Sequence, residues 1–179
     1  MSELDAKKPR KPLLPHLAAE SLRSGRTLFA VTGATGWLGR ATLAALDEAL
    51  GDEARIVAYG SRAQTFEFAP GRMIEVAPIC DLRNLRSETP VTILHYAFVT
   101  KDRVGKVSLS DFVRANTELD DHVAAALAAN PLAGLFLPSS GAVYAPDRTL
   151  KRDLSRDPYG AMKVEQEQRF EGLIADAKA

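Results

Sequence analysis

The sequence predicts an α/β fold, a doubly wound parallel sheet of about five strands preceded by an N-terminal extension. Two observations carry that prediction. Short, continuous apolar runs alternate along the chain with longer helical patterns, and a glycine-rich turn joins the first run to the first helix. The 179 residues leave room for one ordinary domain, and 46% hydrophobic with 26% charged residues is the composition of a soluble globular protein.

Residues 1–26 stand apart as an extension, with the domain expected over 27–179. Lys7, Lys8, Pro9, Arg10, Lys11 and Pro12 form a basic, proline-broken stretch, and Leu13 to Leu22 has the pattern of a short amphipathic helix. Five strands follow: Thr27–Val31, Arg55–Tyr59, Met73–Val76, Val91–Ala97 and Leu132–Leu137. Unbroken apolar runs suit parallel strands covered on both faces. Helices are expected over Leu38–Leu50, stopped by Gly51, and Ser110–Ala129, stopped by Asn130-Pro131. In the second of these, Phe112, Leu119, Val123 and Ala126 share a face.

Composition also narrows the function classes. Lys+Arg and Asp+Glu both number 23, so the basic excess of a nucleic-acid wrapper is missing, and no nucleic-acid partner is expected. No apolar run reaches membrane-spanning length and no apolar segment follows the basic start, so neither a membrane partner nor export is expected, and the compartment expected is the cytoplasm. A single cysteine rules out an internal disulfide and a cysteine-based zinc site, and no metal is expected. Cys80 itself reads as a small buried hydrophobe.

Thr32-Gly33-Ala34-Thr35-Gly36-Trp37-Leu38-Gly39 follows the first strand and opens a helix. Glycine serves three needs there: a tight turn, close approach of a pyrophosphate to the backbone, and tight packing of helix on strand. The helix start offers unpaired N–H groups and partial positive charge to phosphates. The second strand arrives at the spacing of a Rossmann dinucleotide site. At its end, where NAD-binding chains place a carboxylate on the ribose 2′-OH, this chain has Tyr59-Gly60-Ser61-Arg62. A guanidinium in that place suits a 2′-phosphate, which favours NADP, with NAD as the alternative.

Asp157-Pro158 begins another helix, and Tyr159 and Lys163 stand four apart on one of its faces. A phenol with an ordinary pKa near ~10 is a poor base at neutral pH. An ammonium about 4 Å away, at an effective dielectric near ~20, supplies roughly 4 kcal/mol. That is about three pKa units, enough to poise the phenol near neutrality. Leu135 to Tyr144 reads as a strand entering a small-residue loop, Ser139-Ser140-Gly141-Ala142, where α/β sheets bind ligands.

The spacing Thr-Gly-x-x-Gly-x-x-Gly, together with Ser-Ser-x-x-Val-Tyr and Tyr-x-x-x-Lys, resembles the extended branch of the short-chain dehydrogenase/reductase superfamily, the NAD(P)-dependent epimerases, dehydratases and reductases. The resemblance implies hydride transfer on a nucleotide sugar or a similar hydroxyl or ketone substrate. It also implies the roles. Ser140, with Ser139 as the alternative, bonds the substrate oxygen, Tyr159 exchanges the proton and Lys163 holds the nicotinamide ribose. Gly33, Thr35, Gly36, Trp37, Leu38, Gly39, Ser61 and Arg62 fall in the cofactor's path. Asp81 and Leu82 match the pair that contacts the adenine. Tyr96, Ala97 and Phe98 belong to a His-x-Ala segment lining the cofactor, in which His95 reads as a packed strand residue. Asn116 matches a helix asparagine near the active site, although Leu119-Asp120 departs from the family's Gly-Thr there. Gly141-Ala142 lacks the Asp-Glu pair of the sugar dehydratases, which disfavours water elimination.

The resemblance covers Thr27 to about Ala177, so the substrate domain is expected to be absent, as in a fragment or one half of a split enzyme. Helices 110–129 and 157–175 resemble the family's dimer bundle and imply a homodimer. Leu132–Leu137 is expected to be an apolar sheet edge, open to a chain that completes it. The rival reading is a non-catalytic NADP-binding or scaffold module.

Overall fold

The computed structural model describes residues 13–51 and 55–176, so the basic stretch before Leu13 lies outside the described residues. The chain forms α1 (His16–Ser24), β1 (Leu28–Thr32), α2 (Trp37–Leu50), β2 (Ile56–Gly60), β3 (Gln64–Ala69) and β4 (Arg72–Pro78). It continues with β5 (Val91–His95), α3 (Leu109–Ala129), β6 (Leu132–Phe136) and α4 (Pro158–Asp176). Short 3₁₀ turns stand at Ile79–Asn84, Lys101–Arg103 and Gly141–Val143.

The strands make one six-stranded sheet in the order β3-β4-β2-β1-β5-β6, parallel throughout except for the antiparallel β3–β4 pair. A doubly wound Rossmann-like sheet is therefore present, with one strand more than the apolar runs had suggested. That strand, β3, occupies the β2–β4 connection. Its burial alternates, the half-buried Phe66 and buried Phe68 each following an exposed residue, Thr65 and Glu67. Period-two patterning of this kind marks an edge strand covered on one face. Gly71, at φ +72°, turns the hairpin back into β4.

Both faces of the central strands are covered, as continuous apolar runs require. Successive side chains of a strand point to opposite faces. Phe29 and Val31 accordingly join Leu43, Leu46 and Ala58 under α2. Ala30 and Ile93 join Val123, Ala126 and Phe170 beneath α3 and α4. The N-terminal helix α1 lies against α2 through Ala19 and Leu22. The outermost strand β6 pairs with β5 and leaves Leu132 and Phe136 exposed, matching the apolar edge expected of it.

Cys80 corrects the sequence reading. It is exposed on the 3₁₀ turn after β4, its Sγ 3.8 Å from Asp81 Oδ1. The chain leaves the sheet at Pro78 and enters the turn that holds Cys80 outward. No helix among the described residues is long and apolar enough to cross a membrane, and no group of three or more potential metal-ligating residues occurs among them.

Candidate active site

Because β1, β2, β4, β5 and β6 run parallel, the turns that leave their carboxyl ends rise along one edge of the sheet. This is the edge where α/β sheets hold ligands. It gathers the glycine turn after Thr32, Ser61 and Arg62 after β2, Asp81 and Leu82 after β4, Tyr96 to Phe98 after β5, and Ser139-Ser140 after β6.

The glycine turn is built to closeness. Gly33 adopts φ +62°, and a Cβ there would stand 2.9 Å from Ala97 N and from Tyr96 C. A Cβ on Gly39 would run into Gly33 O and come within 2.7 Å of Ala34 Cα. Gly36 N–H donates to Gly33 O at 2.9 Å, and Ala34 N–H donates to Tyr59 O at 3.1 Å. The turn is thus pinned between the ends of β2 and β5, with no room for a side chain on the α2 side. Gly36 begins α2 without a side-chain cap. The helix start therefore keeps N–H groups free for an anion. A cavity of about 380 Å³ opens above it, lined by Gly33, Gly36, Trp37, Leu38, Gly39, Tyr96, Ala97, Phe98 and Thr100. Thr100 had no sequence signal. Trp37 is 83% exposed at the rim.

Among the other predicted residues, Ser61, Arg62 and Asp81 are exposed and Leu82 is fully buried. Thr35 packs toward the end of β2, its methyl 3.9 Å from where a Gly60 Cβ would be. Tyr59 is buried, and its phenol is pushed above the ordinary value by burial and then by the negative Asp81. Asn116 does not point at the cleft. Its Oδ1 accepts from Val99 N at 2.7 Å and its Nδ2 donates to Phe112 O at 3.1 Å, so it fixes the segment after β5 onto α3.

The loop that carries Ser140 meets the start of α4, which carries Tyr159 and Lys163, beyond the end of β6. Asp157 caps α4, its Oδ1 accepting from Gly160 N at 2.9 Å while Oδ2 takes Lys151 Nζ at 2.5 Å. Lys151 first, and the Gly160 N–H second, hold the Asp157 carboxyl below the usual carboxylate range. A Cβ on Gly160 would collide with Ala142 O, so the first turn of α4 presses directly on the serine loop. Ser140 Oγ accepts from Ala142 N at 3.2 Å, which leaves its O–H free to donate. Ser139 is exposed.

Lys163 is 5% exposed. Its Nζ donates to Pro138 O at 3.2 Å and to Gln166 Oε1 at 2.9 Å, and lies 3.9 Å from the centroid of the Phe98 ring. Burial lowers the Lys163 pKa to about 8, with Asp120 and then Glu167 opposing the fall. Among the described residues no hydrogen bond joins Tyr159 to Lys163. Both meet Phe98 instead: the Tyr159 and Phe98 rings stand edge to face with centroids 5.6 Å apart. Phe98 also lines the glycine cavity, so one side chain borders both halves of the site.

His95 behaves as a packed strand residue, 1% exposed, with Thr32 Oγ1 at 2.7 Å from Nδ1 and Asp120 Oδ1 at 3.2 Å from Nε2. Gln166 and Asp120 escaped the sequence reading. The only trace of Gln166 is its place one turn beyond Lys163. Asp120 showed itself only as a departure from Gly-Thr.

A family model, that of the NAD dependent epimerase/dehydratase family, matches residues 29–177. No curated protein and no solved structure matches the chain significantly.

Proposed function

Because the chain belongs to the NAD dependent epimerase/dehydratase family, we propose that it serves hydride transfer on a hydroxyl or ketone carbon of a nucleotide-activated sugar or similar substrate. Tyr159 is the proton-transfer group and NADP the preferred dinucleotide. Membership in the family supports a nicotinamide cofactor and oxidoreductase or epimerase chemistry at the coarse level. The finer reading rests chiefly on one observation: Phe98 lines the glycine cavity and touches both Tyr159 and Lys163.

The residues present fit a dinucleotide. Gly33 and Gly39 leave bare backbone where any Cβ would collide, and the uncapped start of α2 directs N–H groups toward the same space. When bound, the nicotinamide supplies or takes the hydride, and everything else falls to the protein. Ser140, whose O–H is free, donates to the substrate oxygen and orients it. Tyr159 holds the proton that moves to or from that oxygen. Lys163, buried and set like Tyr159 against the Phe98 ring, offers N–H to a ribose hydroxyl. Arg62, at the exposed end of β2, faces solvent with no carboxylate among residues 59–62, which supports a 2′-phosphate over a free 2′-hydroxyl.

Tyr159→Phe tests this reading. Reduction of a keto-sugar nucleotide should fall by about two to four orders of magnitude, the usual worth of a positioned acid–base group. NADPH affinity should stay within a few-fold of wild type. Loss of binding along with turnover, or turnover that survives the substitution, would overturn the assignment.

A further inference from the structure

The three groups around the Lys163 ammonium are a carbonyl, an amide and an aromatic face, none of which carries a formal charge. A buried ammonium in such company is costly unless a countercharge reaches it. Hydrogen bonds lead to one. Gln166 Nε2 donates to Asp120 Oδ1 at 2.6 Å, and Asp120 is 3% exposed. From the same oxygen the chain continues to His95 Nε2 at 3.2 Å, then from His95 Nδ1 to Thr32 Oγ1 at 2.7 Å. It ends where Ala97 N–H donates to Thr32 Oγ1 at 3.1 Å. Thr32 directly precedes Gly33, so the path crosses the molecule from α4 through α3 and β5 to the glycine turn.

Its direction at Gln166 is fixed by elementary donor and acceptor chemistry. An ammonium only donates, so the Gln166 carbonyl must face Lys163 and its NH₂ must face Asp120. Asp120 Oδ1 accepts from the Gln166 NH₂ and, with a proton on Nε2, from the His95 ring as well. The Ala97 N–H occupies one lone pair of Thr32 Oγ1, and the hydroxyl meets His95 Nδ1 either with its proton or with its second lone pair. A proton on His95 Nε2 is then directed at Asp120. Thr32, His95 and Gln166 are each no more than 1% exposed, so no water is needed to complete the chain.

Resting on the functional reading above, we propose that Asp120 and Gln166 are positioning residues for Lys163. The carboxylate, relayed by the glutamine amide, keeps the ammonium charged and aimed at the cleft. The same carboxylate, relayed by His95 and Thr32, ties that lysine to the strand end that carries the glycine turn. The charged groups facing Lys163 are Asp120 from α3 and Glu167 from its own helix. Tyr159, one turn earlier on α4, and His95 beyond Asp120 complete the titratable set.

The test is an NMR titration of the Lys163 side chain in isotopically labelled protein without dinucleotide, its signal assigned by loss in Lys163→Met. Asp120→Asn keeps an oxygen acceptor for both Gln166 and His95 while removing the charge. It should lower the Lys163 pKa by about one unit, the size of a charge lost across one intervening amide. Gln166→Met, which cuts the relay, should shift it in the same direction. A purely structural role would leave the titration unmoved in a folded variant, and that result would overturn the proposal. Should Asp120→Asn fail to fold, Gln166→Met decides by the same criterion. The wild-type His95 ring decides independently: a proton on Nε2 is required, and its absence would overturn the proposal. These readings need no cofactor. An NADPH titration that fails beside a shifted Lys163 therefore refutes the functional reading alone, and an unmoved Lys163 beside intact NADPH binding refutes the network alone.

Discussion

Gly39→Ala puts the glycine turn under the sharpest strain. The added methyl would overlap Gly33 O and stand 2.7 and 2.9 Å from Ala34 Cα and C, all backbone atoms that no side-chain rotation can move aside. Relief requires α2 to back away from the turn that Gly33 and Ala34 form with the ends of β5 and β2. Overpacking of this kind costs about 1–3 kcal/mol. In a chain of this size it lowers Tm by roughly 2–10 °C. The same displacement withdraws N–H groups from the phosphate position. Each charge-assisted hydrogen bond lost is worth about 1.5–3 kcal/mol, so NADPH should bind about one to two orders of magnitude more weakly. Isothermal calorimetry with NADPH, beside a thermal melt, reads both effects. Gly172→Ala is the matched control, because a Cβ there meets nothing within 4 Å and the site lies within α4. It should leave NADPH affinity unchanged and stabilise the protein by up to ~1 kcal/mol. Wild-type NADPH affinity in Gly39→Ala, or an equal loss in Gly172→Ala, would refute the claim that close packing at this glycine forms the phosphate cradle.

Two further outcomes follow from the same geometry. Arg62→Ser should weaken NADPH by about 10- to 100-fold and leave NADH unchanged, as measured by parallel titrations, because only the 2′-phosphate needs the guanidinium. Asp157→Ala removes the cap of α4 and should cost about 0.5–2 kcal/mol at neutral pH, measured by urea denaturation. The native Asp157 carboxyl lies below its unfolded value because of Lys151 and the Gly160 N–H. Its contribution is therefore fully present above the unfolded value near ~4 and fades as pH falls through the lower native value. The gap between wild type and Asp157→Ala should accordingly shrink in acid and not at alkaline pH.

What the sequence made legible was local. Gly33 to Gly39, the Asp157-Pro158 start of α4 and the four-residue step from Tyr159 to Lys163 each involve neighbours in the chain, and backbone sterics and helical period translate them directly. β3 carried a readable signal in the alternation of Thr65, Phe66, Glu67 and Phe68 before Gly71. It is short and lies where doubly wound folds usually place a helix, so it passed as connection. Cys80 misled because the usual burial of a lone cysteine takes no account of Pro78, where the chain turns outward. The companions of Lys163 were not legible at all. Gln166 meets Asp120 across 46 positions, and Asp120 meets His95 across 25. Such partners are chosen by the packing of α4 on α3 and of α3 over β5. Phe98 is a similar case: its place beside Tyr159 and Lys163 depends on how Asn116 anchors the segment after β5.

The central claim is that one dinucleotide lies across the glycine turn and reaches the Tyr159–Lys163 face. Trp37 is the chain's single tryptophan and stands exposed on the rim of that cavity, so its fluorescence reports the site without a label. Titration of the wild-type protein with NADPH should quench Trp37 emission saturably, with energy transfer to the reduced nicotinamide, and Lys163→Met should shift the curve to weaker binding. A Trp37 signal indifferent to both NADPH and NADH, or a quench that Lys163→Met leaves untouched, would contradict the claim.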